Sequence, residues 1–333
     1  MSAPLLEVRH LVTQLRYRRS GWLPVVDDVS MNVNQGEIVG LVGESGCGKS
    51  MTAFSIMQLF PTPAARVFSG EVLFKGRDLL KLPPDELRKV RGVGLGMIFQ
   101  DPSTFLDPLM TLGDQIAEPL YDHQFSGDPR ARTMELIEQM GLPDPPVLAR
   151  RYPHQVSGGQ KQRALIATAM ACSPDLLIAD EPTTALDVTV QAQILDLMRS
   201  LREKTGAAIL LITHDLGVVA EMCDRVYVMY AGKVVEHNTT RELFRSPRHP
   251  YTQGLLNSTI SLDITSDSLF AIPGTIPNLE GLPPGCRFAP RCPIAAPDCR
   301  VNVPELKPVE NGVAACFYTD KTAQGNIWTR EGQ

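Results

Sequence analysis

GESGCGKS, Gly43 to Ser50, fits the pattern Gly-x-x-x-x-Gly-Lys-Ser/Thr at each fixed position. It follows the apolar run EIVGLVG (Glu37–Gly43), which reads as a buried strand, and precedes MTAFSIMQLF, which reads as a helix stopping at Pro61. Glycines allow backbone N–H groups to turn inward around phosphate oxygens, and the helix N-terminus adds partial positive charge. Lys49 supplies a point charge for the terminal phosphates and Ser50 a hydroxyl for Mg²⁺. Cys47 lies inside the loop at a position the pattern leaves open, and a small filler is its simpler reading.

Outward from the loop, LLIADE (Leu176–Glu181) is an apolar run ending in two acids. A buried strand would deliver Asp180 to a magnesium shell, and Glu181 stands one residue further, suited to polarise an attacking water. Short strands are expected over 5–12 and 25–33, then LLIAD, AAILLIT and RVYVMYAGKVVE, with VQAQILDLMRSLREKTG and LGVVAEMC as helices between them. Strands alternating with helices imply an α/β fold with a largely parallel sheet. Residues 101–175 are helical and proline-punctuated, which predicts a helical subdomain. Periodicity fades after HPYTQGLL (His249–Leu256), and 261–285 are rich in Pro, Gly, Ser and Asp. A domain over 1–255 and a small tail domain over 256–333 are therefore expected.

Of 333 residues 43% are hydrophobic and 21% charged, ordinary globular values that support a sizeable core without staples. The net charge of −5 argues against a nucleic-acid partner. No uninterrupted apolar run reaches membrane-spanning length, and MSAPLLEVRHLVTQLRYRRS has early acid and no apolar signal core. A cytosolic protein is expected, in which clustered cysteines favour metal binding or catalysis over structural disulfides.

QVSGGQKQR (Gln155–Arg163), about twenty residues before LLIADEP, resembles the signature of ABC-type ATPases. TALD (Thr184–Asp187) resembles their D-loop, His214 in LLITHD their switch histidine, and Gln100 in MIFQDP their Q-loop glutamine. The resemblance covers residues 5 to about 245. It implies a RecA-like core with an antiparallel β subdomain and a helical subdomain, working as ATPase units paired head to tail. In such a pair ATP would be cradled by Gly43, Ser45, Gly46, Cys47 and Gly48, followed by Lys49, Ser50 and Met51. Ser50, Gln100 and Asp180 would serve Mg²⁺, while Glu181, His214 and Gln100 would form the catalytic set. Ser157, Gly158, Gly159 and Gln160 would act on the partner's nucleotide, and Asp187 would contact the partner subunit. The aromatic that this family stacks on adenine falls near Leu15, a departure. Tyr17, two residues on and on the same strand face, could take its place.

FQDPSTFLDPLMTLGDQI, SPRHPYTQGLL and PGTIPNLEGLPPGCRFAPRCPIAAPDC resemble the oligopeptide/dipeptide importer branch of the family. That branch implies a peripheral subunit on the cytoplasmic face of the bacterial inner membrane, powering import of di- or oligopeptides, with nickel or glutathione as alternative cargo. Its partners would be a second ATPase subunit, in a heterodimer, two permease subunits and, indirectly, a substrate-binding protein. Phe105, Leu106 and Pro108 are candidates for a groove that takes a permease helix, or for ordinary local packing. A soluble ABC ATPase of repair or translation is the alternative from another class. It would carry a long insertion or a second phosphate loop, and the chain has neither.

Cys286, Cys292, Cys299 and Cys316 are separated by five, six and sixteen residues, without a C-x-x-C pair of zinc-finger type. Four thiolates in a proline-rich segment make a soft site for an iron–sulfur cluster or for Zn²⁺, with free thiols the third reading. The branch resemblance tips this to a 4Fe-4S cluster, more structural than electron-transferring.

Overall fold

The apolar runs become strands for the expected reason. In the computed structural model, which describes residues 3–184, 186–258 and 270–328, every residue of Ile38–Val42, Leu176–Asp180 and Ala208–Thr213 is buried. Continuous rather than alternating burial marks parallel strands covered on both faces. The chain falls into two compact units, one formed by 1–6, 33–38 and 74–212 and the other by 7–32, 39–73 and 213–333.

In the first unit Leu95–Ile98 pairs in parallel with Leu176–Asp180, which pairs in parallel with Ala208–Thr213; Ile98 stands opposite Ala179 and Asp180 opposite Ile212. The crossover between the last two strands is the helix Val188–Thr205. Asp187 caps its start by accepting from the Val190 N–H, and Gly206 ends it in the left-handed conformation. Ile194, Leu195, Met198 and Leu201 form its buried stripe. The expected helical segment consists chiefly of Leu112–Asp122, Pro129–Gln139 and Gly158–Met170, capped by Thr111, Asp128 and Ser157.

In the second unit Gly21–Val33, Leu6–Tyr17 and Ala65–Phe74 lie side by side in that order. The first two are joined by only three residues, a connection that requires antiparallel pairing. Ile38–Val42 runs parallel to Arg225–Tyr230, which turns back antiparallel into Lys233–Thr239. That turn, Ala231–Gly232, has φ of 44° and 89°, the twisted two-residue hairpin that favours glycine.

The tail departs from the irregular segment expected. Lys307–Val309 and Gly312–Ala314 form a hairpin, and the second strand pairs with Lys233–Thr239, with Glu236 opposite Ala314. These strands are three residues each, too short for alternation to be read. Tyr230, Tyr251 and Phe288 form a fully buried aromatic knot, with ring centroids 4.7, 5.1 and 5.4 Å apart. Beside it both carboxylate oxygens of Glu236 accept main-chain N–H groups, from Arg248 at 2.6 Å and His249 at 2.8 Å. Burial nonetheless pushes the Glu236 carboxyl up to about 7.

Candidate functional site

The loop Gly43–Ser50 needs its glycines for two distinct reasons. A Cβ on Gly43 would lie 2.2 Å from the Met229 carbonyl oxygen, and one on Gly48 would lie 2.7 Å from the Val25 carbonyl oxygen. Gly46 has open space around it but a φ of 81°. The hairpin turn clasps the loop from behind, since the Gly232 N–H donates to the Cys47 carbonyl at 2.8 Å. Cys47 is buried, and desolvation pushes its thiol up, which agrees with a filler role for that side chain. Lys49 starts the helix Lys49–Met57. Its Nζ donates to the carbonyls of Gly43 at 2.8 Å and Glu44 at 3.2 Å, so the buried ammonium is folded back over the loop. Ser50 and Met51 continue the first turn of that helix. Tyr17 is the half-buried last residue of its strand.

In the first unit Asp180 ends its strand 2% exposed, as the pattern of apolar residues before acid predicts. Glu181 follows with a φ of 46°, a left-handed conformation that costs on the order of 1 kcal/mol for a residue with a Cβ. Its N–H donates to the Ile212 carbonyl at 2.9 Å, which holds the turn. The Glu181 Oε2 accepts from Gln100 Nε2 and from Thr184 Oγ1, each at 2.9 Å. Gln100 and Glu181, 81 residues apart, are thus brought together. Thr184 was read only as part of the D-loop motif, and its place beside an acid three residues earlier was its available signal. Ala185 of that motif lies outside the described residues, and Asp187 is the helix cap noted above.

Ser157 opens the helix Gly158–Met170 with a reciprocal capping box. Its Oγ accepts from the Gln160 N–H at 3.3 Å while the Gln160 Oε1 accepts from the Ser157 N–H at 3.0 Å. Ser157 and Gly158 are exposed, and Gly159 rests against Val190. The hydroxyl keeps its own hydrogen for an outside acceptor, and first-turn N–H groups have no partner within the helix. In the second unit His214 is exposed immediately after the strand Ala208–Thr213, and Asp215 caps the next helix by accepting from the Gly217 N–H at 2.8 Å.

Two family models match the chain. The ABC transporter model spans residues 26–184, and the model for the C-terminal region of oligopeptide/dipeptide transporters spans 235–299. Among characterised relatives, the oligopeptide transport ATP-binding protein AppD of Bacillus subtilis is 47% identical, covering 96% of this chain and 98% of its own. The dipeptide transport ATP-binding protein DppD of Bacillus subtilis is 48% identical, covering 91% and 92%. The chain belongs to the ATP-binding proteins of ABC transporters. Among solved structures, the dimeric post-hydrolysis ATP-binding cassette MJ0796 bound to ADP and phosphate is similar, with a TM-score of 0.63 at 29% identity, over 71% of this chain and 99% of that one. The ABC ATPase fold, with its mixed α/β sheets, is thereby established.

For an ABC transporter ATPase the surface beside Gln100 carries further interest. Phe105 stacks on Phe99 with ring centroids 3.9 Å apart and stays 46% exposed, and Leu109 is 84% exposed. Leu106, expected with Phe105 and Pro108 as a groove residue, is 4% exposed and belongs to the core instead. Among the described residues no helix is long and apolar enough to cross a membrane.

Cys286, Cys292, Cys299 and Cys316 line one small cavity together with Phe288, Ile294 and Tyr318. None of the four is joined in a disulfide. Burial, then the neighbouring sulfurs, pushes Cys292 up to about 12 and Cys316 up to about 11. Among the described residues no three His, Cys, Asp or Glu side chains stand close enough to hold one metal ion. The spacing of the described side chains therefore supports neither the Zn²⁺ nor the 4Fe-4S reading of the sequence.

Sequence reasoning missed a second set of residues around the glycine loop. Glu44 Oε2 accepts from Arg291 Nη1 at 2.7 Å, and the Glu44 N–H donates to the Tyr251 phenol oxygen at 2.8 Å. Arg287 pairs with Asp27 and donates to the carbonyl of Ala231 in the clasping turn. Both arginines lie in the cysteine-rich run. A basic residue at an irregular spacing carries no signal of its own.

Proposed function

We propose that this chain is the ATP-hydrolysing subunit of an importer for di- and oligopeptides. The observation that carries the reading is the oligopeptide/dipeptide C-terminal region over 235–299, joined to a chain whose relatives are named for oligopeptide and dipeptide transport. In this reading residues 1–255 form the ATPase domain, with its helical subdomain near 101–175, and 256–333 the tail domain. The loop Gly43–Ser50 wraps the phosphates, and Lys49 exchanges the loop carbonyls it now contacts for phosphate oxygens. Ser50, Asp180 and Gln100 would hold Mg²⁺, which when bound neutralises phosphate charge.

Glu181, oriented by Gln100 and Thr184, takes a proton from the attacking water. The water oxygen bonds to the γ-phosphorus as the bond to the bridging oxygen of ADP breaks, so ADP and phosphate leave. His214 steadies the γ-phosphate, and Tyr17 stacks on adenine. Ser157, Gly158, Gly159 and Gln160 close on the nucleotide of a second ATPase subunit, and Asp187 touches that subunit. Closure then follows nucleotide occupancy and hydrolysis reopens the pair. Two permease subunits, reached through the surface around Phe105, and a substrate-binding protein beyond them complete the assembly at the cytoplasmic face of the membrane.

That the four thiols line one cavity supports the 4Fe-4S reading of the tail. The cluster's role would be to staple the tail. Iron and sulfide in stoichiometric amounts in anaerobically purified protein are expected, and their absence ends that part of the reading.

The whole is tested by co-purifying the chain with its membrane partners. ATP hydrolysis should rise with peptide-loaded binding protein. Stimulation by nickel- or glutathione-loaded binding protein alone would move the assignment to that cargo.

A further inference from the structure

We propose that Arg291, in the cysteine-rich tail, is a positioning residue for nucleotide binding that acts through Glu44 of the glycine loop. The inference rests on the reading of Gly43–Ser50 as the ATP loop. Glu44 occupies a position that the loop pattern leaves open, so the pattern gives no reason for a carboxylate beside a site for a polyanion. The tail supplies the reason. Arg291 Nη1 and Nη2 donate to the two Glu44 carboxylate oxygens at 2.7 and 3.0 Å, a bidentate pair. The guanidinium is itself held, with Nε on the Pro273 carbonyl at 2.9 Å and Nη2 also on the Ile272 carbonyl at 3.3 Å. Its side chain is 4% exposed, against 31% for Glu44. Arg291 is therefore a fixed post, and Glu44 is the loop's attachment to it.

Two consequences follow at the loop. Glu44 is joined to Lys49 through its carbonyl and to Tyr251 through its N–H, so fixing the carboxylate fixes the backbone that carries the lysine. The guanidinium also cancels a negative charge that would otherwise repel the phosphates at short range. Because Arg291 directly precedes Cys292, one of the four cavity-lining thiols, the fold around those thiols sets where the post stands.

The test uses the full chain in its assembled complex, with displacement of a fluorescent ATP analogue and the split between KM and kcat as readouts. Arg291→Met should weaken MgATP binding roughly tenfold and raise KM alike, with kcat at saturation within about twofold of the parent. Adding Glu44→Gln to that variant should restore part of the affinity, because the uncancelled charge is gone while the loop's attachment is still lost. A role confined to packing would lower Tm in both variants and show no such rescue. An affinity for Arg291→Met within about twofold of the parent, or a double variant no tighter than the single one, overturns the proposal. If Arg291→Met does not fold, Arg291→Lys carries the test. An ammonium lacks the planar two-nitrogen fork that grips both Glu44 oxygens side by side, so KM should rise about threefold at unchanged kcat, and an unchanged KM overturns the proposal. Lys49→Ala in the same assay separates the two levels. Retained MgATP binding there would contradict the reading of the loop itself, whatever Arg291 does.

Discussion

Gln100 and Glu181 share a hydrogen bond of 2.9 Å, and the oxygen that accepts it also accepts from Thr184. A carboxylate held by two donors, on a backbone kept in the left-handed region, is oriented before any substrate arrives. Glu181→Gln keeps the size and removes the proton acceptor. Hydrolysis in the assembled complex should fall by at least about 100-fold while MgATP affinity stays within about twofold. Hydrolysis at the parent rate would end the assignment of Glu181 as general base, and equilibrium binding beside a phosphate-release assay decides it.

Gly43→Ala should be as damaging as a charge change, though it adds one methyl group. That carbon would stand 2.2 Å from the Met229 carbonyl oxygen, so either the loop or the strand Arg225–Tyr230 must shift. MgATP binding should be lost and Tm should fall by at least about 5 °C. Gly46→Ala meets no atom and is strained only by its φ of 81°, so it should show the smaller loss of Tm. Calorimetry of the two variants checks the order.

Ser157→Arg places a long cation at an exposed helix start whose own fold needs only the cap. Nucleotide binding by the isolated chain should stay within about twofold, while ATP-driven closure with a second ATPase subunit should be lost. Light scattering of the complex with and without MgATP reads the difference. Weakened binding in the isolated chain would place Ser157 at its own nucleotide.

His237 supplies a pH dependence. It stacks on Tyr227 with ring centroids 4.1 Å apart and its Nε2 lies 2.8 Å from Arg225 Nη2. Burial, then the Arg225 charge, lowers it from 6.5 to about 4. The unfolded chain therefore binds a proton between those values that the folded chain refuses. The stability from the neutral ring is present above pH 6.5 and is lost as pH falls towards 4. His237→Gln lacks that component, so its Tm should fall less than the parent's between pH 7 and 4. Parallel profiles would contradict the shift.

What could be read in the chain was local. Gly43–Ser50 is one contiguous turn, and the apolar runs Ile38–Val42, Leu176–Asp180 and Ala208–Thr213 announce buried strands without help from elsewhere. The pairing of Gln100 with Glu181 is visible only in the fold, because no local pattern links residues that far apart. Arg291 and Glu44 are 247 residues apart and follow no period, so only the folded tail shows them together. Leu106, open in the sequence between a groove and local packing, is packed in the core, and one apolar residue in a short turn gives no face from which to tell the two apart.

ATP-driven uptake of a labelled dipeptide or oligopeptide into proteoliposomes containing this chain and its membrane partners tests the central claim most directly. The account predicts uptake that requires ATP and binding protein and that stops with Glu181→Gln. Peptide uptake that continues at the parent rate with Glu181→Gln, or after this chain is left out, would contradict it.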